Sequence, residues 1–463
     1  MLNVHSMIAG ATWPAIPTAR ASQLLAVQFQ LEQSQWLSAE EIRARQERQL
    51  WCLYQHSYEC VPFYRTRMDA AGIPPVRMHG PDDWSRLPLL TREDIQEAGS
   101  QLFCTPRLAE HGMISQSLTS GSTGTPVLTL GTTVTRLLWS AMSLRQHLWA
   151  KRDFRGKLAA IRACDHPADG EYVTDNWGLG TLDIVDTGPA LTLDIHTSVD
   201  TQADWLTRHD PDYLLTYPSA VLALAHHFRR SGQRLPRLRE VRTFGEVLEP
   251  HVRRACRDVW GVPVTDTYST QEVGYIALQC PDVEHYHVQS ENVLMEVLDE
   301  NGRQCEPGEL GRVVITTLQN FAMPLLRYEI GDYAEVGLEC PCGRGLPVLR
   351  RILGRKRNMF ILPTGERRWP CMDTSVPGFD ALTAVRQFQV VQRSVGELDV
   401  NLRVARPLTD EEESTVRNTL VSGLGYPFQI NIRYVDAISR SPNGKFEDFR
   451  SDVDDPERVF VPY

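Results

Sequence analysis

Apolar residues recur at two different periods along this chain, and the change of period divides it. Residues 22–70 are spaced as helix: Ser38 and Glu41 have capping-box spacing, Leu37 and Ile42 sit as a hydrophobic staple around them, and Leu50, Leu53 and Tyr54 continue the stripe. This is a packing region with no chemistry assigned to it. A second helical pattern runs over 133–151 through Leu137, Leu138, Ala141, Leu148 and Trp149. Short apolar runs at 158–161, 182–185, 213–216, 241–244 and 264–268 then alternate with helical stretches. Pro218 opens one of these helices, which ends at Arg229, Arg230 and Gly232; Pro250 opens another, closed by Gly261. Strands alternating with helices predict an α/β fold whose sheet is mainly parallel and covered on both faces.

The texture changes near residue 290. Runs at 293–298 and 312–318 around an Asp299-Glu300-Asn301-Gly302 turn predict antiparallel strands, a smaller addition to the parallel part. Beyond Gly354-Arg355 a smaller unit follows, with strands at 388–392, 398–404 and 430–435 and a helix opened by Thr409 and Glu412 in another capping box. The expected organisation is a large domain over 1–355, its first 100 residues a mostly helical lead-in, and a small α+β domain over 356–463.

Composition narrows the function classes. With 463 residues, 42% of them hydrophobic, the chain can bury a large core. Its net charge is −10 and its basic residues are scattered, so it lacks the footprint of a nucleic-acid binder. Met1 to Arg20 has no basic residue before Arg20 and is broken by Pro14 and Pro17, which argues against a signal peptide or membrane span and for a cytoplasmic location. Ten cysteines are too dilute for a disulfide scaffold.

Candidate chemistry begins at Ser117-Leu118-Thr119-Ser120-Gly121-Ser122-Thr123-Gly124-Thr125-Pro126. Glycines can turn N–H groups toward one point, and hydroxyls add rotatable donors, which suits a polyphosphate. It is not a Walker A loop, because no lysine follows Gly124. Taken alone, it reads as a flexible connection. Four later segments follow it in order: Tyr268-Ser269-Thr270-Gln271-Glu272, Tyr328-Glu329-Ile330-Gly331-Asp332, Gly354-Arg355 and Asn443-Gly444-Lys445.

With these five segments in this order, the sequence resembles the acyl-adenylate-forming superfamily of acyl-CoA synthetases, adenylation domains and luciferases, and its phenylacetate–CoA ligase-like branch in particular. The resemblance implies ATP-dependent activation of a small-molecule carboxylic acid through an acyl-AMP, with release of pyrophosphate and transfer to a thiol, coenzyme A by default. An amine or a carrier protein is the alternative acceptor, and an inactive nucleotide-binding interaction protein is the rival outside enzymes. A homodimer is compatible with the sequence. By the same resemblance Thr119, Ser120, Gly121, Ser122, Thr123 and Gly124 hold the ATP phosphates, with Thr125 where this branch often has lysine. Tyr268, Ser269 and Thr270 lie along the adenine, as do Gly245 and Glu246 on its other side. Glu272 holds Mg²⁺, as a hard cation wanting oxygen requires. Asp332 accepts from both ribose hydroxyls, Arg355 reaches the ribose near the hinge, and Lys445 stabilises charge as carboxylate meets α-phosphate. At the hinge, Arg357 and Asn358 stand at the two positions where the family usually has acidic residues.

Some members of that branch carry a structural zinc. Cys280, His287, Cys340 and Cys342 would make a closed Cys₃His site, with His285 competing for the histidine position. Trp177 and Tyr217 fall in segments matching the walls of the acid pocket, where aromatics could clasp a planar ring.

Overall fold

In a computed structural model of the chain the described residues are 3–73, 84–105, 109–118, 126–164, 171–355, 358–370, 382 and 384–453. The helical lead-in forms α1 (Ala19–Ser34), α2 (Ala39–Cys60) and α3 (Pro62–Ala70). It breaks where the sequence supplies stops. Ser38 and Glu41 cap α2 reciprocally, each backbone N–H meeting the other's side chain at 2.9 and 3.2 Å, and Pro62 starts α3 because it needs no N–H partner there. After α4 (Arg92–Ala98), the hairpin of β1 (Ser115–Leu118) and β2 (Leu128–Gly131) flanks the Ser/Gly run, and α5 (Thr133–Trp149) follows.

One mixed sheet then occupies the middle of the molecule. Its strands are β3 (Leu158–Arg162), β4 (Glu171–Thr174), β5 (Ala190–Asp194), β6 (Tyr213–Thr216), β7 (Glu240–Phe244), β8 (Val264–Thr270), β9 (Gly274–Gln279), β10 (Tyr286–Val288), β11 (Val293–Leu298), β12 (Leu310–Thr317), β13 (Tyr328–Val336) and β14 (Val348–Arg355). They lie in the order β11-β12-β13-β14-β10-β9-β8-β7-β6-β3-β5-β4. β5, β3, β6, β7 and β8 run parallel; from the β8–β9 hairpin onward every pairing is antiparallel. The antiparallel part is thus a continuation of the parallel sheet, and the Tyr268–Glu272 segment lies on the turn where one becomes the other.

Alternation along each strand explains how the sheet is covered. Val241 of β7 faces the helices α6 (Val199–His209), α7 (Pro218–Ser231) and α8 (Pro250–Trp260), in a core with Ala203, Leu224 and Val252. Arg242, one residue on, faces α5 and bonds its Gln146. The run at 182–185, expected as a strand, is instead a turn. Asp183 has φ of 71°, and the N–H groups of Ile184 and Val185 both return to the Thr181 carbonyl. Its apolarity serves a core beneath α1 and α5 rather than a ladder.

The small domain has its own core. A hairpin of β15 (Phe360–Ile361) and β16 (Arg367–Arg368) leads into a four-stranded sheet ordered β19-β18-β17-β20. These strands are β17 (Val385–Ser394), β18 (Glu397–Val404), β19 (Gln429–Tyr434) and β20 (Phe449–Ser451). Helix α9 (Asp410–Leu424), capped by Thr409 and Glu412, lays Val416, Leu420 and Leu424 on Val400, Leu402 and Ile430. Among the described residues no helix is long and apolar enough to cross a membrane.

Candidate active site

A cleft of about 2030 Å³ separates the two domains, and most of the residues singled out by motif lie on its walls. The strand ends put them there. Tyr268 comes from β8, Asp332 from β13 and Arg355 from the end of β14, where Asp332 and Arg355 are register partners. The Tyr268 hydroxyl donates to Asp332 Oδ2 at 2.8 Å, and Arg355 Nε lies 3.8 Å from Asp332 Oδ1. Glu272 follows on the β8–β9 turn with its side chain 11% exposed, 3.6 Å from the guanidinium of Arg92. Ser269 and Thr270, at the end of β8, line the same wall.

Arg92 was not singled out from sequence. It is the first residue of α4, whose cap is Thr91, and it also hydrogen-bonds Tyr328. Leu90 fastens this segment to β13, bonding the Arg327 carbonyl and the Glu329 N–H at 2.9 Å each. A signal existed: a cation in the first turn opposes the helix dipole, so arginine there asks for another reason.

Lys445 enters the cleft from the opposite side, on the loop before β20. Gly245 has φ of 80°, and a Cβ there would sit 3.4 Å from Lys445 Cε, so the bare backbone makes room for the lysine stem. Burial lowers the Lys445 pKa and Arg355 adds to this, while Asp332, Glu272 and Glu246 pull the other way. The ammonium therefore stands among three carboxylates of the site. Gly444 approaches the large domain more closely still: its φ is 81°, and a Cβ would lie 2.7 Å from Ile195 Cγ2 and 2.9 Å from the Tyr217 hydroxyl.

Two residues expected to line ligands also hold this loop. The Glu246 carboxylate accepts from the Phe446 N–H at 2.6 Å and from the Ser219 N–H at 2.9 Å, with Arg440 3.4 Å away. Arg440 also donates to Ser219 Oγ and to the Gly444 carbonyl, at 2.8 and 3.0 Å. Tyr217 packs at a tilt against Phe244, ring centroids 4.7 Å apart, and its hydroxyl donates to the Asn443 carbonyl at 2.8 Å. Glu246 is thus committed to the small domain, and Tyr217 stands where the cleft wall meets the lysine loop. Asn358 ties the hinge, its side chain accepting from the Arg355 N–H and donating to the Phe449 carbonyl.

Trp177 lies on the cleft wall, its indole N–H donating to the Gly156 carbonyl at 3.1 Å and its ring 5.3 Å from that of His147. The phosphate-loop residues Thr119, Ser120, Gly121, Ser122, Thr123 and Gly124 lie outside the described residues, as do Thr125, Lys356 and Arg357.

All five Cys/His candidates meet where β9 gives way to β10, against the 340–342 loop. Cys280, His285, His287 and Cys340 have ligand atoms within 4.8 Å of one another, and Cys342 Sγ is 3.4 Å from His287 Nε2. His285 Nε2 approaches Cys340 Sγ to 2.9 Å, so the structure brings in the competing histidine as well. The Cys280 and Cys340 sulfurs are 3.7 Å apart, the edge expected of a tetrahedron with metal–sulfur bonds of about 2.3 Å. The loop carrying Cys340 and Cys342 is clamped to the lead-in by Arg344, which stacks on Trp36 and Trp149 and donates to Gln35 Oε1 at 2.9 Å.

Known proteins resemble this chain in sequence and in fold. A phenylacetate-coenzyme A ligase of Thermus thermophilus is 29% identical over 81% of this chain and 84% of its own length. One of Escherichia coli is 24% identical over 87% and 93%. Among solved structures, 2-hydroxyisobutyryl-CoA ligase in its postadenylation state with 2-HIB-AMP superposes with a TM-score of 0.72 at 20% identity, covering 92% of each chain. The same ligase in its thioesterification state scores 0.60 over 91% of each. Residues 376–451 match the CapK C-terminal domain. Residues 81–323, just over half of the chain, match the AMP-binding enzyme family, and the chain belongs to that family.

Proposed function

We propose that this protein is an AMP-forming ligase that activates a carboxylic acid with ATP and passes the acyl group to coenzyme A. One observation carries the reading: Lys445 of the small domain is seated against Gly245, within the field of Asp332, Glu272 and Glu246. A carboxylate oxygen attacks the α-phosphorus, the bond to the bridging oxygen breaks, and pyrophosphate leaves with that electron pair. The Lys445 ammonium offsets the negative charge gathering there, in a site dry enough to strengthen its effect. Asp332 accepts from the ribose hydroxyls once Tyr268 yields its bond. Gly245, Tyr268, Ser269 and Thr270 bound the adenine, Arg355 reaches the ribose, and the 119–124 hydroxyls and N–H groups hold the phosphates.

Glu272 offers the carboxylate oxygen that Mg²⁺ favours, and bound Mg²⁺ would neutralise phosphate charge. Arg92 beside it supplies a fixed cation in place of the lysine missing at Thr125. In the second half-reaction the thiol sulfur attacks the acyl carbon, AMP departs, and the thiol proton passes to solvent. This requires the small domain to leave, which breaks the bonds from Glu246 to Phe446 and Arg440. The curated relatives named as coenzyme A ligases support that acceptor over an amine or a carrier protein.

Zinc fits the Cys/His cluster. The donors are thiolates and imidazoles, and His287 turns Nδ1 toward the Leu346 carbonyl, leaving Nε2 for a metal. A zinc there would lock the 340–342 loop to β9 and β10, a structural role away from the reaction.

The test is AMP release from ATP with a panel of acids, followed by addition of coenzyme A or amines. The expected result is acid-dependent AMP release and a thioester product. Well-folded protein giving no acid-dependent AMP would leave an inactive binding protein; an amide product would move the chain to the amine-using ligases. Elemental analysis should give about one zinc per chain, and substoichiometric metal from zinc-replete cells would remove that assignment.

A further inference from the structure

At the inner end of the same cleft lies a cation that no carboxylate among the described residues bonds. Arg242 stands on β7 two residues before Phe244, so strand alternation puts both side chains on one face. The residue is 6% exposed and donates to Gln146 Oε1 at 2.6 Å, its one hydrogen-bond partner among the described residues. Its Nε is buried with no acceptor. The carboxylate on the same strand face, Glu240, is held fork to fork by Arg152 at 2.7 Å on both arms. Burial and the nearby Arg152 pull the Arg242 guanidinium down to about 9, with Glu240 only partly opposing them. An unpaired buried cation is costly, and a fold keeps one where a ligand completes it.

His147 stands beside this arginine and is 4% exposed. Its Nδ1 faces Arg152 Nη1 at 3.3 Å and accepts there, which leaves Nε2–H as a donor, and burial holds the ring neutral. Both residues line the cleft, and the His147 ring meets Trp177. The inner wall is therefore an aromatic face ending in donors. From Arg242 to Gly245, where Lys445 is seated, the chain advances about 10 Å. That is room for one aromatic ring between two carboxyl groups.

Resting on the ligase reading above, we propose that the acid taken by this cleft carries a second, anionic oxygen group, a carboxylate remote from the activated one, received by the Arg242 guanidinium with His147 Nε2–H beside it. The activated carboxylate stays at Lys445, and the distal one fixes the depth of the ring against Trp177.

The experiment compares phenylacetate, 4-methylphenylacetate and 4-carboxyphenylacetate as substrates of the full-length enzyme, reading kcat/KM for AMP release. The methyl analogue controls for size. The 4-carboxy acid should exceed the 4-methyl acid by roughly 10- to 100-fold, the range expected for a charge-assisted hydrogen bond. Arg242→Met should bring that ratio close to one or invert it, and Arg242→Lys, which keeps charge but loses the fork, should restore part of it. Equal or better activity with the methyl acid, or a preference that survives Arg242→Met, overturns the proposal while leaving the ligase reading standing. If no acid releases AMP, the ligase reading fails. Calorimetric binding of the 4-carboxy and 4-methyl acids then still decides the pocket: tighter 4-carboxy binding, abolished in Arg242→Met, supports it, and equal binding overturns it.

Discussion

At the end of the cleft proposed to take the nucleotide Asp332 lies between the Tyr268 hydroxyl and Arg355, and Glu272 lies beside Arg92; at the inner end Arg242 has, among the described residues, only the amide of Gln146. Charges at the first end are already paired within the protein, so a ligand there exchanges partners. At the second a ligand supplies the missing partner. Exchange keeps groups oriented before binding and loses little solvation when it happens. A vacancy for charge discriminates harder, because a neutral ligand leaves the guanidinium buried and unanswered. On the proposed reading, the nucleotide end is thus built for fixed chemistry and the inner end for choosing the acid, with Lys445 between them.

The sharpest way to break this division is to remove the group that serves both ends. Lys445→Ala should lower single-turnover formation of the acyl-AMP by on the order of 100- to 1000-fold with every acid tested, since it withdraws charge from the transition state. Rapid-quench measurement of acyl-AMP checks it. A loss confined to one class of acid would mean that Lys445 reads the acid instead.

Gly444→Ala probes the same lysine through its seat. The added Cβ would meet Ile195 and the Tyr217 hydroxyl at under 3 Å, in a backbone conformation that alanine resists, so the loop cannot dock at its present depth. A displacement of about 1 Å can cost roughly 100-fold, and adenylation should fall by that order with the ammonium still present. Unchanged adenylation would show that the docked depth is not needed.

The nucleotide end was largely legible in the sequence because each of its residues belongs to a short segment fixed by local structure. Tyr268 to Glu272 is a strand end and turn, Gly331-Asp332 sits within one strand, and Gly444-Lys445 is a tight loop. Elements with strong local signals were legible for the same reason: the capping boxes at Ser38 and Thr409, the prolines opening α7 and α8, and the αL glycines 232 and 261. Arg242, His147 and Gln146 were not, because their meaning comes from contact between β7 and α5, some 95 residues apart in the chain; Arg242 to Gln146 spans 96 positions. The turn at 182–185 was misread as strand because burial under α1 and α5 demands the same apolar residues as a ladder does. Glu246 shows a third kind of limit. Its segment was recognisable, but its carboxylate is used by Phe446 and Arg440, two hundred residues on, only when the domains are docked.

Asp332→Asn sharpens the comparison from the nucleotide end. The amide keeps the shape but presents one oxygen where the carboxylate presents two, so ATP should lose one of two ribose bonds. The KM for ATP should rise by roughly tenfold, as expected for a hydrogen bond to a charged group, and the ratio between 4-carboxy and 4-methyl acids should stay as it was. A shift in that ratio would show the two ends to be coupled and the division too simple.

The smallest expected effect concerns docking itself. Glu249, at the N-terminus of α8, is pushed up to about 7 by burial and by Asp448 of the small domain across the cleft, with Arg351 opposing. His251 and Glu447 are the other titratable groups beside Asp448. When the small domain rotates away, Glu249 returns toward the ordinary carboxylate value. A carboxyl raised in the docked state opposes docking fully above its docked pKa, and that opposition fades as pH falls through about 7 toward the ordinary value. Lowering the pH from about 8 to 6 should therefore favour the docked, adenylating arrangement by a few-fold, seen as faster acyl-AMP formation relative to thioester release. Glu249→Gln removes the titrating group and keeps its shape, so the ratio of the two half-reactions should become flatter with pH. A profile as steep as that of the wild type would place the proton elsewhere in the domain interface.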